Sequence, residues 1–289
     1  MKIGIFTRKK VFDKIANIIA SIVRRCEQKK CEVLLDEFLR SMLMNSYVRG
    51  KMYFGDLRAN RPDILITIGG DGTILYVTRY FDFHPPPILG VSFKSLGFLC
   101  EFPLCDLLKY LDGIIEGKFC IIKRRLGKVV LGSFRDYLLN DLVILSGSHG
   151  KLIKVKVSVD DHTLFQTRLD GLILSTSTGS SAHALSAGGP IIEEGLNIVE
   201  VVPICSFSTF LRPVILSPNR KVSVEVLSGS CMALLDGGLS RVTLKAKDKL
   251  TFRLSRRSIK FVSIGKRDFY RKMTERMMGD YYLDGIIKF

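Results

Sequence analysis

The chain has 289 residues, 47% hydrophobic and 25% charged, enough for a packed core in one large domain or two lobes, and this excludes disorder. Its formal net charge of +16 suits polyanionic partners such as nucleotides or polyphosphate, yet the basic runs Arg8-Lys9-Lys10, Lys123-Arg124-Arg125 and Arg256-Arg257 carry no recognition motif for nucleic acid. No segment has the apolarity of a membrane span and no signal peptide opens the chain; seven cysteines without a CxxC pair fit reduced thiols in a cytoplasmic protein, so neither nucleic acid nor membrane is expected as a partner.

The first part alternates strand and helix. Residues 2–7 read as a strand. Residues 11–29 read as an amphipathic helix with Phe12, Ile15, Ile19, Ile22 and Cys26 on one face. A strand at 31–35 and a helix around 37–45 follow. The stretch PDILITIGGDGTILYVTRY, residues 62–80, then reads as a buried strand at 64–68, a glycine turn and a helix at 73–80. Gly69, Gly70 and Gly72 are expected to adopt angles that other residues resist. Strand, glycine turn and helix aim backbone N–H groups at an anion, but GxxxxGK[ST] is absent, so this is no P-loop. Asp71 would repel phosphate unless a metal bridges them or the acid has a chemical task; its plain alternative is a helix N-cap. A strand at 87–92 follows, then a helix at 104–116 with Pro103 at its first position and Gly117 as its stop. Alternation of this kind implies a largely parallel sheet covered by helices, with ligands beyond the carboxyl ends of its strands.

After about residue 118 the period becomes two. Val155, Val157 and Val159 alternate with polar residues up to a turn at Asp160-Asp161, and Val222, Val224 and Val226 do likewise. Gly237-Gly238 marks a hairpin after residues 232–235. This lobe reads as mostly antiparallel β. A helix at 267–278 is expected to return the chain to the first lobe. In YLLNDLVIL, Asn140-Asp141 interrupts an apolar strand, either because the pair sits at a strand end or is turned to solvent, or because it grips sugar hydroxyls. The tract RLDGLILSTSTGSSAHALSAGGPII, residues 168–192, carries small hydroxyl and glycine residues, either to donate to diphosphate or ribose oxygens or to fill a tight loop.

Taken together these motifs resemble the NAD kinase family. They are GGDGT at 69–73, LGFL at 96–99, the Asn-acid pair at 140–141, the tract 170–190 (close to the family's DGLIxSTPTGSTAYxLSAGGP) and RPxxL at 212–216. GGDG alone is shared with phosphofructokinases and diacylglycerol-type lipid kinases; the long tract is specific. The resemblance implies a Rossmann-like α/β lobe (1–118 plus 266–289) and a β-rich NAD-binding lobe (119–265). It implies a cytoplasmic homodimer or homotetramer that transfers a phosphoryl group from ATP or polyphosphate, with Mg²⁺, to the 2′-hydroxyl of the adenosine ribose of NAD. By the same carry-over Asp71 is the proton acceptor. Gly72 and Phe98 lie against nucleotide, and Asn140 and Asp141 hold ribose hydroxyls. Asp170, Ser181, Ala182, His183 and Ser186 line the dinucleotide pocket, flanked by Lys151 and Arg168. Metal ligands are unassigned. The chain departs from the family at Ser177 (Pro), His183 (Tyr), Asp141 (Glu), Phe207 (His) and Gly238 (Gln). A lipid kinase sharing GGDGT and a non-catalytic nucleotide-binding protein are the competing functions.

Overall fold

Ile64–Ile68 is buried at every position, as a run of β-branched and aliphatic side chains requires of a strand covered on both faces. It is the fourth strand of a parallel sheet. The computed structural model describes residues 1–8, 13–43, 52–93, 97–148, 150–265, 269–270 and 273–274, and the chain divides into two units, Met1–Lys123 with Ile259–Phe289, and Arg124–Ser258.

In the first unit β1 (Lys2–Thr7), β2 (Glu32–Asp36), β3 (Tyr53–Gly55), β4 (Ile64–Ile68), β5 (Ile88–Ser92) and β6 (Phe102–Pro103) run parallel in the order β3-β2-β1-β4-β5-β6. The order reverses between β1 and β4, which leaves a crevice at their carboxyl ends. Helices α1 (Asp13–Gln28), α2 (Arg40–Leu43), α3 (Asp71–Tyr80) and α4 (Leu107–Ile115) connect the strands. Ile15, Ile19, Ile22 and Cys26 of α1 are buried as their spacing predicts; Phe12 lies outside the described residues.

The boundaries differ in places. The α3 helix starts at Asp71 rather than Thr73. The helix expected at 37–45 is a 3₁₀ turn, Glu37–Leu39, followed by α2, with Asn45 outside the described residues. Pro103 precedes a 3₁₀ turn, Leu104–Asp106, at its N-cap position instead of opening an α-helix. Most of the helix expected at 267–278 lies outside the described residues, but the Phe269 ring sits 6.4 Å from that of Phe98 within this unit.

The second unit is antiparallel. Its strands are β8 (Phe134–Leu138), β9 (Asp141–Ser146), β10 (Ile153–Val159), β11 (His162–Thr176), β12 (Val199–Ser206), β13 (Val214–Leu216), β14 (Val222–Ser228), β15 (Cys231–Leu235) and β16 (Ser240–Leu244). Parts of β7 (Cys120–Leu131) and β17 (Lys249–Ser263) belong to it as well. Val155, Val157, Val222, Val224, Val226 and Phe252 are fully buried in its core. Each such side chain contributes about 1.5–3 kcal/mol relative to exposure. Gly237 and Gly238 have φ of +69° and +86° in the turn joining β15 to β16, the conformation for which a hairpin selects glycine. One short helix, α5 (His183–Ser186), packs its Ala184 against Val143, Ile173 and Val202.

Candidate functional site

In the first unit the GGDGT loop follows β4 at the point where the strand order reverses. Arg8, just beyond β1, lines a cavity of about 420 Å³ with Gly70, Gly72 and Thr73. None of the loop glycines has a positive φ, contrary to expectation. Glycine is required for space instead. A Cβ on Gly69 would fall 2.2 Å from the Thr73 hydroxyl, whereas Gly70 and Gly72 face open space within 4 Å. Their backbone is therefore bare where a ligand can approach it, beside the N-terminus of α3.

Asp71 is not the N-cap; Gly70 is, and no side chain caps the helix there. As the first residue of α3, half-buried Asp71 turns its carboxylate to residues 98 and 99. Its Oδ2 accepts the Phe98 N–H at 3.0 Å and its Oδ1 the Leu99 N–H at 3.2 Å. Gly97 makes this approach possible, since a Cβ there would sit 2.0 Å from Oδ1. A carboxylate offers about four lone-pair positions, so these two bonds orient it and leave capacity for a proton. The Phe98 side chain is buried, and Leu96 lies outside the described residues.

In the second unit Asp141 opens β9 with Asn140 just before it, so the pair sits at a strand end, and both are buried rather than turned to solvent. Buried Asp236, in the β15–β16 turn, accepts the N–H groups of Leu139 at 2.9 Å and Asn140 at 2.7 Å. Asn140 Oδ1 is buried with no hydrogen-bond partner among the described residues. Asp141 Oδ2 accepts the backbone N–H of His183 at 3.2 Å, which ties α5 to β9. Burial pushes the Asp141 carboxyl up to about 6, against the lowering effect of that bond.

The hydroxyl tract serves structure first. Ser175 donates to the Thr176 carbonyl, Thr176 to that of Leu139 at 2.6 Å, and Ser180 to that of Ser177 at 2.9 Å; all three residues are buried. Gly179 passes so close to β9 that a Cβ would meet the Asn140 carbonyl at 2.2 Å. The accessible members are Ser181 and Ala182, half-buried, and His183 and Ser186, exposed. Thus Asn140, Asp141 and residues 181–183 are brought together. Arg168 and Asp170, on β11, and Lys151, before β10, are exposed with side chains that make no hydrogen bond in common with that group among the described residues.

Gly97 and Thr176 lie within LGFL and the 168–192 tract without a role of their own in the sequence, and Asp236 and Glu200 escape sequence reasoning. Glu200 is fully buried on β12, both carboxylate oxygens lack a hydrogen-bond partner among the described residues, and burial with the nearby Asp141 charge pushes it up to about 7. Its one sequence signal is an acid inside the apolar run IVEVVPI.

The ATP-NAD kinase N-terminal domain model matches residues 3–119, and the ATP-NAD kinase C-terminal domain model matches residues 139–264. The chain belongs to the NAD kinase family. This family member is 32% identical over 283 residues to the NAD kinase of Methanothermobacter thermautotrophicus, covering 96% of each chain. It is 31% identical to that of Caldicellulosiruptor saccharolyticus over 91% of this chain and 97% of the relative. Its fold is that of yeast NADH kinase complexed with NADH (TM-score 0.84, 24% identity, 96% of this chain and 87% of that one). It is likewise that of an Archaeoglobus fulgidus NAD kinase in complex with ATP (TM-score 0.75, 23% identity, 94% and 98%). Membership makes this NAD kinase family protein a phosphotransferase with an α/β N-terminal lobe and a β-rich C-terminal part. Among the described residues no helix is long and apolar enough to cross a membrane.

Proposed function

We propose that this chain phosphorylates the 2′-hydroxyl of the adenosine ribose of NAD, giving NADP, with Asp71 as proton acceptor. The observation that carries the reading is the setting of Asp71: an oriented carboxylate at the start of α3, beside the bare backbone of Gly70 and Gly72. A hydroxyl becomes an effective nucleophile as its proton leaves, and a carboxylate within hydrogen-bond reach takes that proton. Arg8 and the α3 N-terminus supply positive potential for phosphate oxygens. Gly72 and Phe98 contact nucleotide in this reading. Asn140 and Asp141 engage ribose hydroxyls, with the orphaned Asn140 Oδ1 as a ready acceptor. Ser181, Ala182, His183, Ser186 and Asp170 bound the dinucleotide, with Lys151 and Arg168 as flanking cations in the 119–265 lobe.

Structures of fold relatives complexed with NADH and with ATP support nucleotide substrates. The donor is ATP or polyphosphate. Among the described residues no three or more His, Cys, Asp or Glu side chains converge to hold a metal ion. The described side chains offer no ready-made cluster for it, so Mg²⁺ would come with the donor's phosphates. We place the enzyme in the cytoplasm as a homodimer or homotetramer. The test is NADP formation from NAD with ATP or polyphosphate as donor, for the wild type and Asp71→Asn. The variant should keep NAD binding and lose roughly 10²–10⁴ in kcat. Near-normal turnover would leave Asp71 as no more than the tether of residues 98 and 99.

A further inference from the structure

Arg125 and Arg256, from two basic runs far apart in the chain, line one cavity in the second unit. Arg125 Nε donates to the Ser255 carbonyl at 2.9 Å, which joins β7 to β17. Around this bond lies a cavity of about 440 Å³, lined by Arg125, Lys128, Arg253 and Arg256 with Tyr137 and Asn219. That volume is in the usual range for small-ligand sites, ~300–1,000 Å³. No carboxylate is among its lining residues. The neighbouring Arg124 is different: it is buried and ion-paired with Glu194 at 2.7 Å, so it belongs to the protein interior. Lys128 stands opposite Tyr137 in the β7–β8 register, and the Arg257 guanidinium lies 4.7 Å from the Tyr137 ring centroid. The ring is thereby engaged by a cation. The cavity offers guanidinium and ammonium donors, with the Asn219 side chain beside them.

We propose that this cavity is a binding site for an oligophosphate chain, either free or as the triphosphate tail of a nucleotide. Four cations lining one concave space repel one another when it is empty, and a linear anion with several negative charges relieves all of them at once. Guanidinium groups bind phosphate oxygens by paired hydrogen bonds, and the bond that pins Arg125 uses Nε rather than its terminal nitrogens. The site shares no residue with the Gly70–Thr73 cavity or with the Asn140–His183 group. It does not depend on the reading of Asp71.

The test is calorimetric titration of the full chain with sodium tripolyphosphate, then with ATP, each in the presence of saturating NAD and of EDTA, which withholds the Mg²⁺ that phosphoryl transfer needs. The double variant Arg253→Glu/Arg256→Glu removes two cavity cations; Arg241→Glu/Lys245→Glu, exposed elsewhere in the same unit, makes an equal change in net charge. Tripolyphosphate affinity should fall by about tenfold or more in the cavity variant, as expected for lost charge-assisted bonds. It should change by less than about twofold in the charge-matched one, because a general field effect is screened by salt. A parallel loss for ATP identifies a nucleotide tail as ligand; a loss confined to tripolyphosphate identifies a free chain. Arg253→Gln/Arg256→Gln serves if the reversed charges unfold the protein. Equal weakening in both charge-reversal variants, or wild-type affinity in the cavity variant, overturns the site.

Discussion

Asp141 and Glu200 stand in one cross-strand row, each directly opposite Ser175, on β9 and β12 to either side of β11. Paired positions across a sheet share a face, so both buried acids lie under the same cover. That cover includes α5 and the Gly188–Gly189 turn, where a Cβ on Gly189 would come 2.5 Å from Glu200 Oε1. Folding takes both acids out of water, and only Asp141 gains a hydrogen bond among the described residues.

This row sets a pH dependence of stability. Both carboxyls are raised, Asp141 to about 6 and Glu200 to about 7, so the folded chain binds more protons than the unfolded one below those values. Their contribution is therefore fully present below about pH 4, where both states are protonated, and is lost as pH rises through about 6 and 7. Glu200→Gln keeps the shape and removes one charge. Its Tm should match the wild type near pH 4 and exceed it by several degrees near pH 8, as a change of roughly 1–2 kcal/mol implies. Thermal melts of both proteins across this range decide; parallel profiles would show that Glu200 does not titrate there.

Gly97→Ala should act on turnover more than on stability. The new methyl would displace the Asp71 carboxylate, whose Oδ1 lies 2.0 Å from the position it must occupy. Misplacement of a reacting group by about an ångström costs on the order of 10² in rate. The check is kcat together with Tm. Unchanged kcat would show that Asp71 needs no fixed position.

Asn140→Ala separates ligand binding from folding. Its Oδ1 has no hydrogen-bond partner among the described residues, so its removal forfeits no such bond, and the Asp236 carboxylate holds the backbone N–H, which alanine retains. KM for NAD should rise by about tenfold, the order expected when a ligand hydroxyl loses its partner. Tm should hold. A drop in Tm with unchanged KM would assign Asn140 to the architecture of β9.

His183 engages Asp141 through its backbone, and the ring is not part of that bond. His183→Tyr should therefore keep α5 in place and leave stability near wild type. His183→Pro removes the donor at the first position of α5 and should destabilise the chain by at least about 1.5–3 kcal/mol, the usual worth of a bond to a charged acceptor, since Ala182 at ψ −125° must also shift before a proline. Denaturant melts of both variants at pH 8 distinguish them. Equal stabilities would mean that the bond contributes nothing.

Local order was legible without coordinates. The strand at Ile64–Ile68, the helix after it, the buried face of α1 and the Gly237-Gly238 hairpin follow from periods and backbone preferences within a few residues of chain. The motifs around Asp71, Asn140 and the 170–190 tract are contiguous too, so family membership could be read from them. The tertiary structure alone decided what those residues touch. Asp71 meets Phe98 and Leu99, 27 and 28 positions on; Asp236 holds Asn140 from 96 positions away. Strand register placed Glu200 beneath α5 with Asp141, although an acid in an apolar strand reads equally as a solvent-facing residue. A slip of one residue would turn it to the other face. Periodicity specifies that a strand forms, but its neighbours and register arise from burial summed over the whole unit, and this sum determined which hydroxyls of the tract are spent inside and that the Glu200 carboxylate is buried with no hydrogen-bond partner among the described residues.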